Sequence, residues 1–147
     1  MRPATESLKI PVLLAVLWML AASVSVLAAP VIVATVPYWH DARSYLAQLG
    51  LWQAWISIAA CVGLLVISRR KHAESEEAWA QGAVLIYVLG GVLTAILLNY
   101  GVLPRWLVNS ASLLLMTQVL VLALLHWCCA LLCLRSLLRY RKERMGA

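Results

Sequence analysis

The sequence predicts an all-α membrane protein of four transmembrane helices, set as two antiparallel hairpins with both termini cytosolic. Three observations carry that expectation. Hydrophobic residues make up 64% of the 147 and charged residues 12%, against about 45–50% and about 25% in a soluble domain. Four apolar stretches, roughly 10–29, 49–68, 82–102 and 110–134, each have the length of about 20 residues that covers a hydrocarbon core of about 30 Å. Of the 12 basic residues, only Arg43 and Arg105 fall on one side; the rest gather at Arg2 and Lys9, at Arg69-Arg70-Lys71, and in a basic tail over 135–147. Such a bias over short loops places the basic side in the cytosol. A transmembrane barrel is disfavoured, because its strands alternate polar and apolar residues, whereas Val12–Leu17 and Leu113–Met116 are continuously apolar. The expectation is one polytopic domain over 1–147.

The first stretch has a signal-peptide look, with Lys9, an apolar run, and Val26-Leu27-Ala28 before Ala29-Pro30. The run exceeds the usual 7–15 residues of a signal, so an uncleaved first helix is expected. Proline removes a helix donor, which predicts a kink or end near Pro30. The segment Pro37 to Leu46 is expected as the only sizeable outer loop. Its Tyr38, Trp39 and Tyr45, with Trp52, Trp55 and Trp106, suit an outer aromatic belt, and Trp79 an inner one. Between the second and third helices, Ser75 is expected to cap the third, with Glu76 and Glu77 in its first turn favourable to the helix dipole. The connection from Gly101 to Ser110 is short enough to make the last two helices a hairpin.

Small residues four apart let helix backbones approach in lipid. Helix three offers Gly90 with Thr94 and Gly91 with Ala95, helix two Ala59 with Gly63, and helix one Ala21 with Ser25. The plain reading is that these seams hold the bundle; the functional one is that a seam docks a partner subunit. The polar groups singled out inside the spans are Asn99, Thr117, Gln118 and His126. An intramembrane ionisable residue is a functional suspect by default. His126 is also satisfied by bonding across helices, with Gln118, Thr117 or Asn99 as candidate partners.

His126, Cys129 and Cys133 share a helix stripe, and imidazole and thiolate suit Cu(I) or Zn. They are weak metal candidates, lacking a CxxC pair, a Met cluster or a thiol in an aqueous loop. No metal and no cofactor is expected. The four cysteines fall inside apolar segments, away from the oxidising aqueous space that a disulfide framework needs. A haem with two axial histidines would need a second His within the spans, and His40 and His72 lie in connections. His40, Asp41, Arg43 and Tyr45 are adjacent in sequence but have no catalytic pattern, so no catalytic residue is assigned and an enzyme is not expected. A nucleic-acid partner is not expected either, since only Tyr140 interleaves with the basic tail.

The layout is similar to that of small subunits of tripartite substrate-binding-protein-dependent transporters and of immunity proteins against pore-forming toxins. The likeness is of topology and carries no residues. What remains is a non-enzymatic accessory or scaffold subunit of a larger bacterial inner-membrane complex. Its partners would be other membrane subunits or further copies of itself, with anionic lipid at the basic tail. Ion and substrate paths are marked by Asp, Glu, Lys or Arg inside the bundle, and no carboxylate falls within the four segments. A small oligomeric channel lined by Asn99, Thr117 and Gln118 is one alternative, and a membrane immunity or exclusion protein is another.

Overall fold

A computed structural model describes residues 9–74 and 83–146. The positions of Arg2, Ser75, Glu76, Glu77 and Trp79 lie outside the described residues. Helix α1 spans Lys9–Thr35, α2 Trp39–Glu74 and α3 Ala83–Ile96; a π-helical turn, Leu97–Val102, leads into α4, Leu103–Val108, and α5 spans Leu113–Gly146. Among the described residues only 36–38 and 109–112 lie outside helices, and there is no strand. Four segments are long and apolar enough to cross a membrane: Lys9–Thr35, Trp39–Arg69, Val84–Val108 and Leu113–Glu143.

Each of the four spans runs past the C-terminal bound expected from apolar length. α1 continues through Pro30, because one lost donor removes a single bond while the turns on either side stay paired. It stops at Thr35, just before Val36, the residue that Pro37 steers away from helical geometry. The expected outer loop is mostly helix: Val36, Pro37 and Tyr38 make the turn, and α2 starts at Trp39 with Asp41 in its first turn, where the helix dipole favours an acid. Pro104 does not end the third span but lies in α4, which continues the π-turn without a break, the Leu103 N–H donating to the Leu98 carbonyl; its missing N–H costs the helix one bond. Ser112 caps α5, its Oγ accepting from the Leu115 N–H at 3.3 Å. The basic tail is helical too, carrying α5 to Gly146 with an exposed Arg139–Glu143 pair along it.

The helices pack as a ring: α1 lies against α2 and α5, and α3 against α2 and α5. Buried positions on α1 are Pro11, Ala15, Trp18 and Ala22, a stripe at steps of four and three. Trp18 fills the middle of the ring, packed in a core that also holds Ala15, Cys61, Leu64, Val88 and Leu137. Gly91 on α3 makes room for it. A Cβ there would run into the Trp18 indole.

Candidate functional site

Buried polar side chains of three spans, Ser57, Thr94 and the Trp18 indole, converge on His126 on the fourth. It sits on α5 with 2% of its surface exposed, and its ring reaches the three helices around it. The indole N–H of Trp18 on α1 donates to His126 Nε2 at 3.0 Å. An indole nitrogen can only donate, so Nε2 must carry a free lone pair and the proton sits on Nδ1. That Nδ1–H then faces two acceptors on α3, the Gly91 carbonyl at 3.0 Å and the Thr94 hydroxyl at 3.0 Å. Thr94 in turn donates to the Gly90 carbonyl at 2.8 Å. The Trp18 and His126 rings meet edge on, with centroids 5.7 Å apart and planes at 62°.

From α2, Ser57 Oγ lies 3.2 Å from Nε2. Gln53, one turn earlier, donates its amide to Ser57 Oγ at 3.0 Å; Ser57 and Trp18 both face the one Nε2 lone pair, which the shorter Trp18 bond takes. Asn99, in the π-turn, donates to Gln53 Oε1 at 3.0 Å and to the Ala95 carbonyl at 3.0 Å. Asn99 stands within the π-turn, and its amide reaches back four residues to the Ala95 carbonyl, which lies in α3 just before that turn. Gly50 leaves space opposite, since a Cβ there would meet Leu103 and Asn99 Oδ1. The result is one buried chain running Asn99, Gln53, Ser57, His126, Gly91, with Trp18 joining at the imidazole. A second tie between α5 and α1 is the Trp127 indole, donating to Ser23 Oγ at 3.0 Å.

His126 therefore bonds to Trp18, Ser57, Gly91 and Thr94 rather than to Thr117, Gln118 or Asn99. Asn99 reaches it through two intermediaries. Gln118 and Thr117 are exposed on α5. Of the small residues expected to pack helices, Gly91, Thr94 and Ala95 are buried at or beside the site, and Ala95 is fully so. Gly90 faces Cys129, whose Sγ would stand 3.2 Å from an added Cβ, and Gly63 faces Leu14 at 3.0 Å on the same measure. Ala59 is exposed, because the buried stripe of α2 passes through Ser57, Ala60, Cys61 and Leu64 and position 59 points the other way. Ala21 and Ser25 are half-buried.

The metal candidates are not gathered around a vacancy. Both His126 ring nitrogens are engaged in hydrogen bonds, and among the described residues no three His, Cys, Asp or Glu side chains are placed to hold an ion together. Cys133 and Cys61 are buried, Cys129 half-buried and Cys128 exposed; all four thiols are free. His40 and Arg43 approach each other on the first turns of α2, with Arg43 Nη2 3.5 Å from His40 Nδ1, both at the surface. Nearby, Trp39 and Trp106 pair edge to face, centroids 5.7 Å apart and planes at 78°.

Sequence reasoning singled out His126 but missed Trp18, Ser57 and Gln53. A weak signal existed: Gln53 and Ser57 are four apart on one face of the second span, and Trp18 stands in the middle of the first. No protein family model, no curated protein and no solved structure matches the chain.

Proposed function

We propose that this chain is a non-enzymatic accessory or scaffold subunit of a larger bacterial inner-membrane complex, working by helix–helix packing. The observation that carries this reading is the closure of the His126 network. Trp18, Gln53, Ser57, Thr94, Asn99 and His126 bond to one another or to α3 carbonyls, so the interior is used to join helices rather than to receive a solute. The outward surfaces are large and apolar. Leu13, Leu20 and Leu27 on α1 and Leu120 and Leu124 on α5 are each more than half exposed. Such faces suit other helices as well as lipid.

The two-hairpin arrangement with both termini in the cytosol belongs to this reading. It is supported by the gathering of Lys9, Arg69, Arg135, Arg139 and Lys142 at helix ends. Anionic lipid is the natural counter-charge for that side, at about 1 kcal/mol per basic residue near the surface. A channel lined by Asn99 and Gln118 has less support, since Asn99 turns inward to Gln53 while Gln118 is exposed on α5.

Purification of the tagged chain from native membranes in mild detergent tests the reading. A stoichiometric second membrane protein is expected, and recovery of this chain alone would overturn it. Protease or thiol-label accessibility of tags at the two ends tests the orientation, with both expected on the cytosolic face.

A further inference from the structure

α5 carries a polar group that the bundle leaves unused. Gln118 is exposed, and its amide makes no hydrogen bond among the described residues. Its neighbour Thr117 is also exposed, but that hydroxyl donates to the Leu113 carbonyl of its own helix at 2.8 Å. Gln118 stands roughly 7–8 Å along the axis from the start of α5, at 1.5 Å rise per residue. The surface at that end is still apolar, with Leu113 73% and Val108 81% exposed. An amide that faces hydrocarbon with both its donor and its acceptor unpaired is costly.

The neighbours of Gln118 along the helix point to what pairs it. Leu114, Gln118, Val121, Leu125, Cys128 and Leu132 follow one another at alternating steps of four and three, and all are exposed. That is heptad spacing, the seam of a left-handed helix pair. Every position but one is apolar or a thiol. A single amide in an apolar seam is the feature that sets register and partner number in paired helices. An amide both donates and accepts, so it is complementary to itself, whereas acyl chains offer it nothing. Copies inserted in the same orientation present this seam to each other in parallel, related by a twofold axis.

We infer that α5 pairs this chain with a second copy of itself along the Leu114–Leu132 seam, the two Gln118 amides hydrogen-bonded to each other across the axis. Arg135 and Arg139, exposed further along the same stripe, bring like charges together and part the two helices beyond Leu132. The inference rests on the reading of a chain that works by helix packing, and it names one partner.

Cys128 lies on the seam and reports on it. Full-length protein in native membranes is treated with copper phenanthroline, and disulfide-linked dimer is measured on non-reducing gels. The expected result is a dimer that Cys128→Ala abolishes. In that background Val121→Cys restores it and Leu120→Cys, one position off the seam, does not. Gln118→Leu lowers the dimer yield at least about threefold, the scale of one interhelical hydrogen bond in a membrane. Three results would overturn the inference: no Cys128-dependent dimer, equal yields from positions 120 and 121, or a yield indifferent to Gln118→Leu, which would mean that lipid covers the stripe. A second subunit purified without any such dimer would reject this pairing while leaving the accessory reading standing. A dimer with no other partner would do the opposite.

Discussion

The Trp18 indole donates to His126 Nε2 across 108 positions of sequence, and that bond fixes the imidazole as neutral with its proton on Nδ1. It also joins the first span to the last. Replacing His126 with Leu strands the Trp18 N–H in the bundle centre and releases Ser57. We expect a loss of about 2 kcal/mol, within the range for an orphaned buried donor and tempered by the modest values of intramembrane bonds. His126→Gln, which can place an acceptor near the position of Nε2, should cost less. Denaturant-driven unfolding in mixed micelles, followed by tryptophan fluorescence, measures both.

Gly91 and Trp18 should behave as one unit. A methyl group at position 91 runs into the indole, and overpacking of that kind costs about 1–3 kcal/mol. Trp18→Phe removes part of the obstruction along with the hydrogen bond. The double variant is therefore expected to be more stable than the sum of the two single losses, a coupling that a double-mutant cycle reads directly. Strict additivity would mean that the indole does not lie over Gly91.

Asn99, inside the π-turn, ties it to Gln53 on α2 and to the Ala95 carbonyl. If these bonds hold the turn, Asn99→Leu lets the helix tighten to ordinary α geometry, which rotates everything from Leu103 onward. The Trp39–Trp106 pair should then separate, and the near-ultraviolet circular dichroism of the tryptophans should weaken. An unchanged signal with Asn99→Leu would assign the π-turn to some other cause.

The four thiols should label in an order set by burial. In detergent that separates the copies, Cys128 reacts first with a maleimide, Cys129 follows, and Cys61 and Cys133 remain protected until the bundle opens. Mass spectrometry of a labelling time course in detergent distinguishes them. Early labelling of Cys61 would place the α2 stripe wrongly.

Four spans were legible because continuous apolar runs in these lengths have few other uses. Their ends were not, since apolar content marks contact with lipid whereas a helix continues as long as its backbone bonds do. His40 to Leu46 and the basic stretch after Leu134 are polar and yet helical. Neither Pro30 nor Pro104 ends its helix, for a related reason: each takes from the helix chiefly the bond its own nitrogen would have made. Of the site, His126, Asn99, Gly91, Thr94 and Ala95 were legible in the sequence, while Trp18, Gln53 and Ser57 were not. Leu and Val surround every span, so nothing in the sequence told which side of the first helix faced inward, and the Trp18 contact depends on that. Ala59 went astray in the same way, sitting beside the buried stripe and not on it.

Two runs of hydrogen bonds meet at the imidazole, each with a single sense. Asn99 donates to Gln53 and Gln53 to Ser57, while Trp18 donates to His126 and His126 to Gly91, so the small dipoles within each run add rather than cancel. Reversing the second run would require Trp18 to accept, which an indole nitrogen cannot do. Nor can a proton travel from Asn99 to Gly91, because the two carboxamide links hold their hydrogens too firmly to pass them on. The interior is thus polarised and at the same time insulating, a permanent electret within the protein.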